Sequence, residues 1–336
     1  MFRVGARLIF GSGPPADAGP AYSALADTVI AGLGRLVENE FVAGHGIVPG
    51  GQLAVVALGK LGGREMTSTS DLDLVFIYTH DPGATQSSGE KPLPVISYFA
   101  RLAQRFIAAL TSLTAQGRLY EVDMRLRPSG SQGPVAVTLD RFENYHREHS
   151  WTWELMALTR ARVVAGPCDL RHRIESIVPG LLSRRGNSVQ LKTDAREMRQ
   201  KLAAQFPARV LWDLKFAAGG LVDIEFAAQL LQLCAAGTGD VLDQNTIRSI
   251  EKLIAAGSLD PADGESLIAA ARLQQDLTQV LRVAIDGEFR PETASAGLKA
   301  LLARVAGLKD FARLEPLLRE RQKRAHEVFE RILDGR

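Results

Sequence analysis

Strand-like alternation of apolar and polar residues is confined to the part of this chain before Leu139. From there on nearly every segment repeats its apolar side chains at helical spacing. A switch from period 2 to period 3.6 within one sequence admits few architectures, and the economical one is an α+β domain followed by an all-α helical bundle. Leu267, Ala270, Leu273, Leu277, Leu281 and Ala284 form one helical stripe, and Leu314, Leu318, Ala325, Val328, Phe329 and Ile332 form another. With 336 residues the chain can bury two cores. The expected division is an N-terminal helical segment over 1–50, an α+β domain over 51–165 and a helical domain over 166–336. No internal repeat is detectable.

The N-terminal part is broken by Pro14, Pro15, Gly19 and Pro20, and Tyr22 to Val42 then carries helical periodicity through Leu25, Val29, Leu33 and Val37. Met1 to Phe10 reads as the tail of an apolar helix lacking its partner, so the chain is expected to be a fragment of something longer. Leu53 to Leu58 is a short continuous apolar run that suits a strand buried on both faces, and Gly59 to Gly63 breaks it. A second strand is expected over Leu72 to Tyr78. A long amphipathic helix with Phe99, Leu102, Phe106, Leu110 and Leu113 on its buried stripe follows a polar loop. Leu119 to Leu126 alternates Tyr120, Val122, Met124 and Leu126 with Glu121, Asp123 and Arg125, and predicts a third strand that is polar on one face.

Composition sets limits on the chemistry. The formal net charge is +2, so no strong field draws the chain to nucleic acid or to an anionic membrane. Cys168 and Cys234 lack the spacing of a metal set or of a disulfide framework, which fits a reducing cytoplasm. No stretch approaches the roughly 20 apolar residues that span a bilayer, and no signal-peptide core opens the sequence.

The chemistry concentrates around Ser70-Asp71-Leu72-Asp73-Leu74. Residues two apart on a strand share a face, so Asp71 and Asp73 present adjacent carboxylates while Leu72 and Leu74 point to the core. Two such anions repel, and divalent cations with hard oxygen ligands relieve that repulsion; phosphate oxygens filling open positions suit Mg²⁺. Asp123, on the charged face of its strand, is the best third ligand, with Arg125 and Arg127 on the same side. In a two-metal displacement one ion held by Asp71, Asp73 and Asp123 activates the attacking hydroxyl, and a second shared by Asp71 and Asp73 stabilises the leaving group. Asp123 is then placed as base or base-orienting group.

Gly62 and Gly63 are read as letting backbone N–H groups approach phosphate at the start of a short helix, with Lys60 and Arg64 flanking the turn. Lys215 is a further candidate for a triphosphate. Neither a P-loop nor a dinucleotide fingerprint is present at a strand-to-helix junction.

Four blocks in order, GKLGGREMTSTSDLDLVF, LYEVDMRLRPSG, WTWELMALTRARVVAG and FAAGGLVDIEF, resemble the glutamine synthetase adenylyltransferase family. That family's halves are related nucleotidyltransferases, and the second and third blocks are more similar to the C-terminal, adenylylating half. The resemblance implies a DNA polymerase β-like nucleotidyltransferase fold, ATP and Mg²⁺ as cosubstrates, and AMP transfer to a tyrosine hydroxyl of glutamine synthetase with loss of pyrophosphate. It carries metal-binding roles to Asp71, Asp73 and Asp123, and places Gly62, Gly63 and Ser70 where the family's nucleotide-cradling turn lies. Thr67 to Thr69 departs from the commoner pattern.

Plainer readings stand beside these. An Asp-x-Asp is often a solvated face, a glycine pair a plain turn, and Arg125 and Arg127 ion-pair partners of Glu121 and Asp123. Lys215 reads equally as a solvated lysine. Trp151 and Trp153 are expected to pack, and Asp223 and Glu225 to open a helix. As alternatives in function, the chain could run phosphate-driven removal of AMP, or serve as a non-catalytic docking module for glutamine synthetase or a PII-type signalling protein.

Overall fold

A computed structural model of the chain describes residues 1–115, 117–183 and 188–335. Its elements run in chain order as α1 (Phe2–Phe10), α2 (Ala18–His45), β1 (Gln52–Ala57), α3 (Gly59–Gly62), β2 (Leu72–Thr79) and α4 (Val95–Thr111). There follow β3 (Val122–Asp123), β4 (Ala136–Thr138), α5 (Leu139–Glu148), α6 (Thr152–Leu158), β5 (Arg162–Ala165) and α7 (Cys168–Leu182). The remainder is helical: α8 (Ser188–Gln205), α9 (Leu221–Ala235), α10 (Thr246–Ala255), α11 (Pro261–Ala284), α12 (Ala296–Val305) and α13 (Leu314–Asp334). The protein is thus mixed α+β, and none of the described helices is long and apolar enough to cross a membrane.

Two compact units divide the chain, and neither is continuous in sequence. One comprises Ser23–Gly63 and Ser70–Leu182; the other comprises Met1–Tyr22, Arg64–Thr69 and Ser183–Arg336.

The first unit is built on a five-stranded sheet. β1 lies antiparallel between β2 and β5, and β3 and β4 pair in parallel with different stretches of β2. Val55, Val56, Leu72, Leu74, Phe76 and Ile77 are all buried, as expected for central strands covered on both faces. Side-chain alternation assigns the faces. Phe76 meets Phe106 edge-on at 5.6 Å and Tyr78 stacks on Phe99 at 4.2 Å, so the even-numbered residues of β2 face α4. Asp71 and Asp73 therefore belong to the other face.

Three expectations are corrected. Strands do not stop at Leu139, because β5 at Arg162–Ala165 closes the sheet beside β1; its run of four residues is too short for periodicity to separate from helix. The strand expected over Leu119 to Leu126 is only Val122–Asp123. Pairing ends there because Arg127 gathers the following loop, donating to the carbonyls of Met124 at 2.7 Å, Ser131 at 3.1 Å and Gly133 at 3.2 Å. Nor does Trp151 pack: it is 69% exposed at the start of α6.

The second unit has a core around Trp212, whose ring lies edge-on to Phe289 at 4.6 Å and stacks on Phe311 at 5.9 Å. Leu277, Val280, Leu302, Leu314 and Leu318 surround it, and the indole N–H donates to Glu315 at 3.0 Å, which satisfies the one polar atom of the ring. The two helical stripes read from sequence are α11 and α13.

Candidate active site

β2 positions the acidic residues. Asp73 is the register partner of Asp123 across the parallel β2·β3 pair, as Leu72 is of Val122. Partners in a parallel ladder project to the same face about 4.8 Å apart, and Asp71, exposed and two residues earlier, precedes the strand on that side. The Asp123 carboxylate accepts three bonds from Arg125: backbone N–H to Oδ1 at 2.8 Å, Nε to Oδ2 at 2.8 Å and Nη2 to Oδ2 at 2.5 Å. Partial burial pushes the Asp123 carboxyl up, but the Arg125 bonds and the charges of Arg125 and Arg127 outweigh that and hold it below its ordinary value. Arg125 in turn is raised by its bond to Asp123 and that carboxylate's charge, and further by Asp73 and Asp71. One guanidinium thus feels all three carboxylates. Among the described residues, no three His, Cys, Asp or Glu side chains as placed enclose a site for an ion. The donor set itself, hard carboxylate oxygens on neighbouring strands, has the chemistry of a divalent-cation site. Arg125, with its side chain 82% exposed, forms the ion pair with Asp123.

The glycine turn abuts this cluster. Gly59 opens α3 with φ +51°, and a Cβ there would stand 2.0 Å from Asp73 Oδ2. The carboxylate therefore rests on backbone that only glycine provides. The expectation that Gly62 and Gly63 open the short helix is corrected. They end it, and their N–H groups are donated to the carbonyls of Leu58 at 2.8 Å and Gly59 at 3.1 Å. Gly62 is required by packing instead, since a Cβ would lie 2.0 Å from the Arg160 carbonyl oxygen. Lys60 and Ser70 lie in the same unit as the three carboxylates, Lys60 within the turn and Ser70 directly before Asp71. Arg64 and Lys215 belong to the other unit, and the Lys215 ammonium sits 4.8 Å over the Phe216 ring. Arg127 is engaged with the loop carbonyls described above.

Sequence reasoning missed the residues that hold the turn. Arg162 pairs with Asp27 of α2 through two bonds at 2.8 and 3.0 Å and donates to the Leu61 and Gly62 carbonyls at 2.8 and 3.3 Å. Buried Arg160 reaches the Gly59 carbonyl at 3.4 Å. The Leu61 and Gly62 carbonyls at the end of this one-turn helix lie beyond its i to i+4 bonding, and Arg162 donates to both. The signal was Arg160-Ala161-Arg162 before an apolar pair, two cations at strand spacing. Glu154 was also overlooked: buried, it accepts the Tyr145 hydroxyl at 2.9 and 3.1 Å and the Trp151 N–H at 2.8 Å. In the other unit Asp223 is fully buried and accepts from Arg199, from Gly219 N at 2.7 Å and from His326 Nδ1 at 3.1 Å, a structural role at the opening of α9.

Residues 187–333 match the family described as GlnD PII-uridylyltransferase. Over 336 residues the chain is 42% identical to a protein of Rhodopseudomonas palustris (strain ATCC BAA-98 / CGA009), covering all of this chain and 34% of that one. It is 45% identical over 333 residues to one of Xanthobacter autotrophicus, covering 98% of this chain and 34% of that one. Each of these relatives bears the name bifunctional glutamine synthetase adenylyltransferase/adenylyl-removing enzyme, and the chain spans about a third of their length. Because residues 1–177, over half of the chain and the whole of the acidic cluster with its glycine turn, match the family described as glutamate-ammonia ligase adenylyltransferase, the chain belongs to that family.

Proposed function

We propose that this chain is the adenylylating catalytic unit of a glutamine synthetase adenylyltransferase, with a DNA polymerase β-like nucleotidyltransferase domain over 51–165 and a helical domain over 166–336. In this reading it moves AMP from ATP to a tyrosine hydroxyl of glutamine synthetase. The observation that carries the reading is the pairing of Asp73 with Asp123 in register, with Asp71 acting on the same guanidinium. The tyrosine oxygen attacks the α-phosphorus, the bond to pyrophosphate breaks, and the hydroxyl proton passes to Asp123. Asp71, Asp73 and Asp123 would hold two Mg²⁺ ions, which acidify the hydroxyl and neutralise charge on the leaving pyrophosphate. Arg125 has the exposure to swing from Asp123 when the site fills. Lys60 and Ser70 contribute to the nucleotide from the turn and from the approach to β2. Arg127 is a weaker candidate, because its guanidinium already donates to the Met124, Ser131 and Gly133 carbonyls, while Arg64 and Lys215 are candidates on sequence grounds alone. The LYEVDMRLRPSG and WTWE blocks favour the adenylylating half, and the match of 187–333 to a PII-uridylyltransferase family makes a PII-type protein a candidate partner.

The relatives are named for both directions, so removal of AMP is the second reading. Incubating the chain with glutamine synthetase, Mg²⁺ and α-labelled ATP is expected to label the synthetase, and Asp71→Ala is expected to abolish labelling. Phosphate-dependent release of AMP from the modified synthetase, with no forward labelling, would reverse the assignment. Loss of neither activity in Asp71→Ala would remove the carboxylates from the chemistry.

A further inference from the structure

Behind the sheet, on the face away from Asp71 and Asp73, α2, α4, β1 and β5 surround a cavity of about 400 Å³. Val55 pairs with Phe76, which faces α4, so the cavity and the carboxylates lie on opposite sides of β1 and β2. Its walls are apolar: Leu53, Val55, Leu102, Phe106 and Val164. Arg35, Glu38 and Arg171 are its charged lining groups. The volume lies in the range of small-molecule sites, roughly 300–1,000 Å³, and so does the composition, an apolar body with a few convergent polar groups.

The charged groups specify the head of the occupant. Among the described residues, neither Arg35 nor Glu38 takes part in an ion pair or side-chain hydrogen bond. Arg171 is oriented by donating Nη1 to the Val163 carbonyl at 3.0 Å, which leaves the rest of its fork available. Two guanidiniums against one carboxylate leave a net positive lining. A cation is repelled, a neutral apolar molecule leaves both arginines unanswered, and a polyanion meets Glu38. A monoanion with an apolar tail matches the net charge of the lining: its carboxylate takes the fork geometry of arginine, and its tail gains dispersion contact with the apolar walls.

We propose that this cavity is a binding site for a small amphiphilic carboxylate, its tail on Leu53, Val55 and Phe106 and its head between Arg35 and Arg171. The site is separate from the acidic cluster and does not depend on the reaction proposed for it. Octanoate serves as the probe, 1-octanol as the neutral control, and the methyl resonances of Leu53, Val55 and Val164 as the readout. Octanoate is expected to shift those methyls saturably and to bind at least about tenfold more tightly than octanol, the scale of one charge-assisted contact. Ala31→Phe, which fills the cavity from α2, is expected to abolish the shifts. Arg35→Glu, at an exposed position that leaves the core intact, is expected to weaken octanoate about tenfold and octanol little. Equal affinity for the two probes, or octanoate binding unchanged in Arg35→Glu, would overturn the assignment of the head. Absence of saturable methyl shifts in the unsubstituted chain would overturn the site itself.

Discussion

Asp73 and Asp123 are register partners across a parallel strand pair, although fifty residues of chain separate them. Their carboxylates share one face of the sheet, and the charge of Arg125, on the loop after β3, acts on both of them and on Asp71. Like charges this close stabilise the fold only when a counter-charge is present. The arrangement therefore favours binding of a cation, and each residue in it has a separable consequence.

Asp73→Asn keeps the shape of the side chain and the β2·β3 pairing while removing one charge. Transfer is expected to fall on the order of a hundredfold or more, the scale of removing a group that stabilises developing charge. Metal-dependent nucleotide binding should weaken with it, and the melting temperature should be unchanged or raised. Titration of nucleotide with and without Mg²⁺ separates these effects; activity within a few-fold of the unsubstituted chain would dissociate Asp73 from the chemistry.

Arg125→Ala tests whether the arginine competes with metal. Without it the Asp123 carboxyl loses the bonds that hold it low and returns toward its ordinary range. A carboxyl depressed in the folded state stabilises above its unfolded value and loses that contribution as pH falls through the folded one. The acid limb of the stability curve should therefore move to higher pH. At neutral pH, Mn²⁺ binding in the absence of nucleotide should tighten, because a competing cation has been removed. Weaker Mn²⁺ binding would mean that Arg125 helps to build the site.

The glycines give a graded series. At Gly59 an alanine pays about 1–2 kcal/mol for its left-handed backbone and also displaces the Asp73 carboxylate, so activity should drop further than stability. At Gly62 the obstacle is the Arg160 carbonyl, a backbone atom that cannot move aside, and loss of stability should dominate. Gly32 lies mid-helix in α2 with nothing within 4 Å of its would-be Cβ, and Gly32→Ala should stabilise by roughly 0.5–1 kcal/mol. Urea unfolding of the three variants alongside transfer assays ranks them.

What was legible in the sequence follows the range of the interactions involved. Asp71 and Asp73 were readable as a pair because alternation along one strand is local. The helices α11 and α13 declared themselves through long stripes. That β3 would be cut to two residues was not readable, because Arg127 ends it by bonding to loop carbonyls up to six residues away. Gly62 was read as a phosphate contact when its neighbour is the Arg160 carbonyl, nearly a hundred residues on. The strut from Asp27 to Arg162 likewise joins elements that no local pattern connects.

Two titrating groups of the helical unit act on its stability in the same direction, and that sets its pH dependence. Burial raises the Asp276 carboxyl from 3.8 to about 6. His326 is raised above 6.5, chiefly by its hydrogen bond to Asp223. For both groups the folded protein binds protons more tightly than the unfolded chain, so each contribution is complete below the unfolded value and is lost as pH rises through the folded one. Asp276 loses its share between 3.8 and about 6, and His326 loses its share above 6.5. The unit should accordingly melt at lower temperature at pH 8 than at pH 6. Asp276→Asn removes a carboxylate that must be charged while half-buried, and should stabilise at pH 7 on the order of 1–2 kcal/mol after solvent screening, with little effect at pH 4. His326→Gln should flatten the decline above pH 6.5 and leave the Asp276 effect in place, since no bond joins the two side chains. Thermal melts of the three proteins across pH 4 to 8 decide the matter: a melting temperature that rises from pH 6 to pH 8 would rule out the His326 assignment, and an Asp276→Asn effect as large at pH 4 as at pH 7 would rule out the Asp276 one.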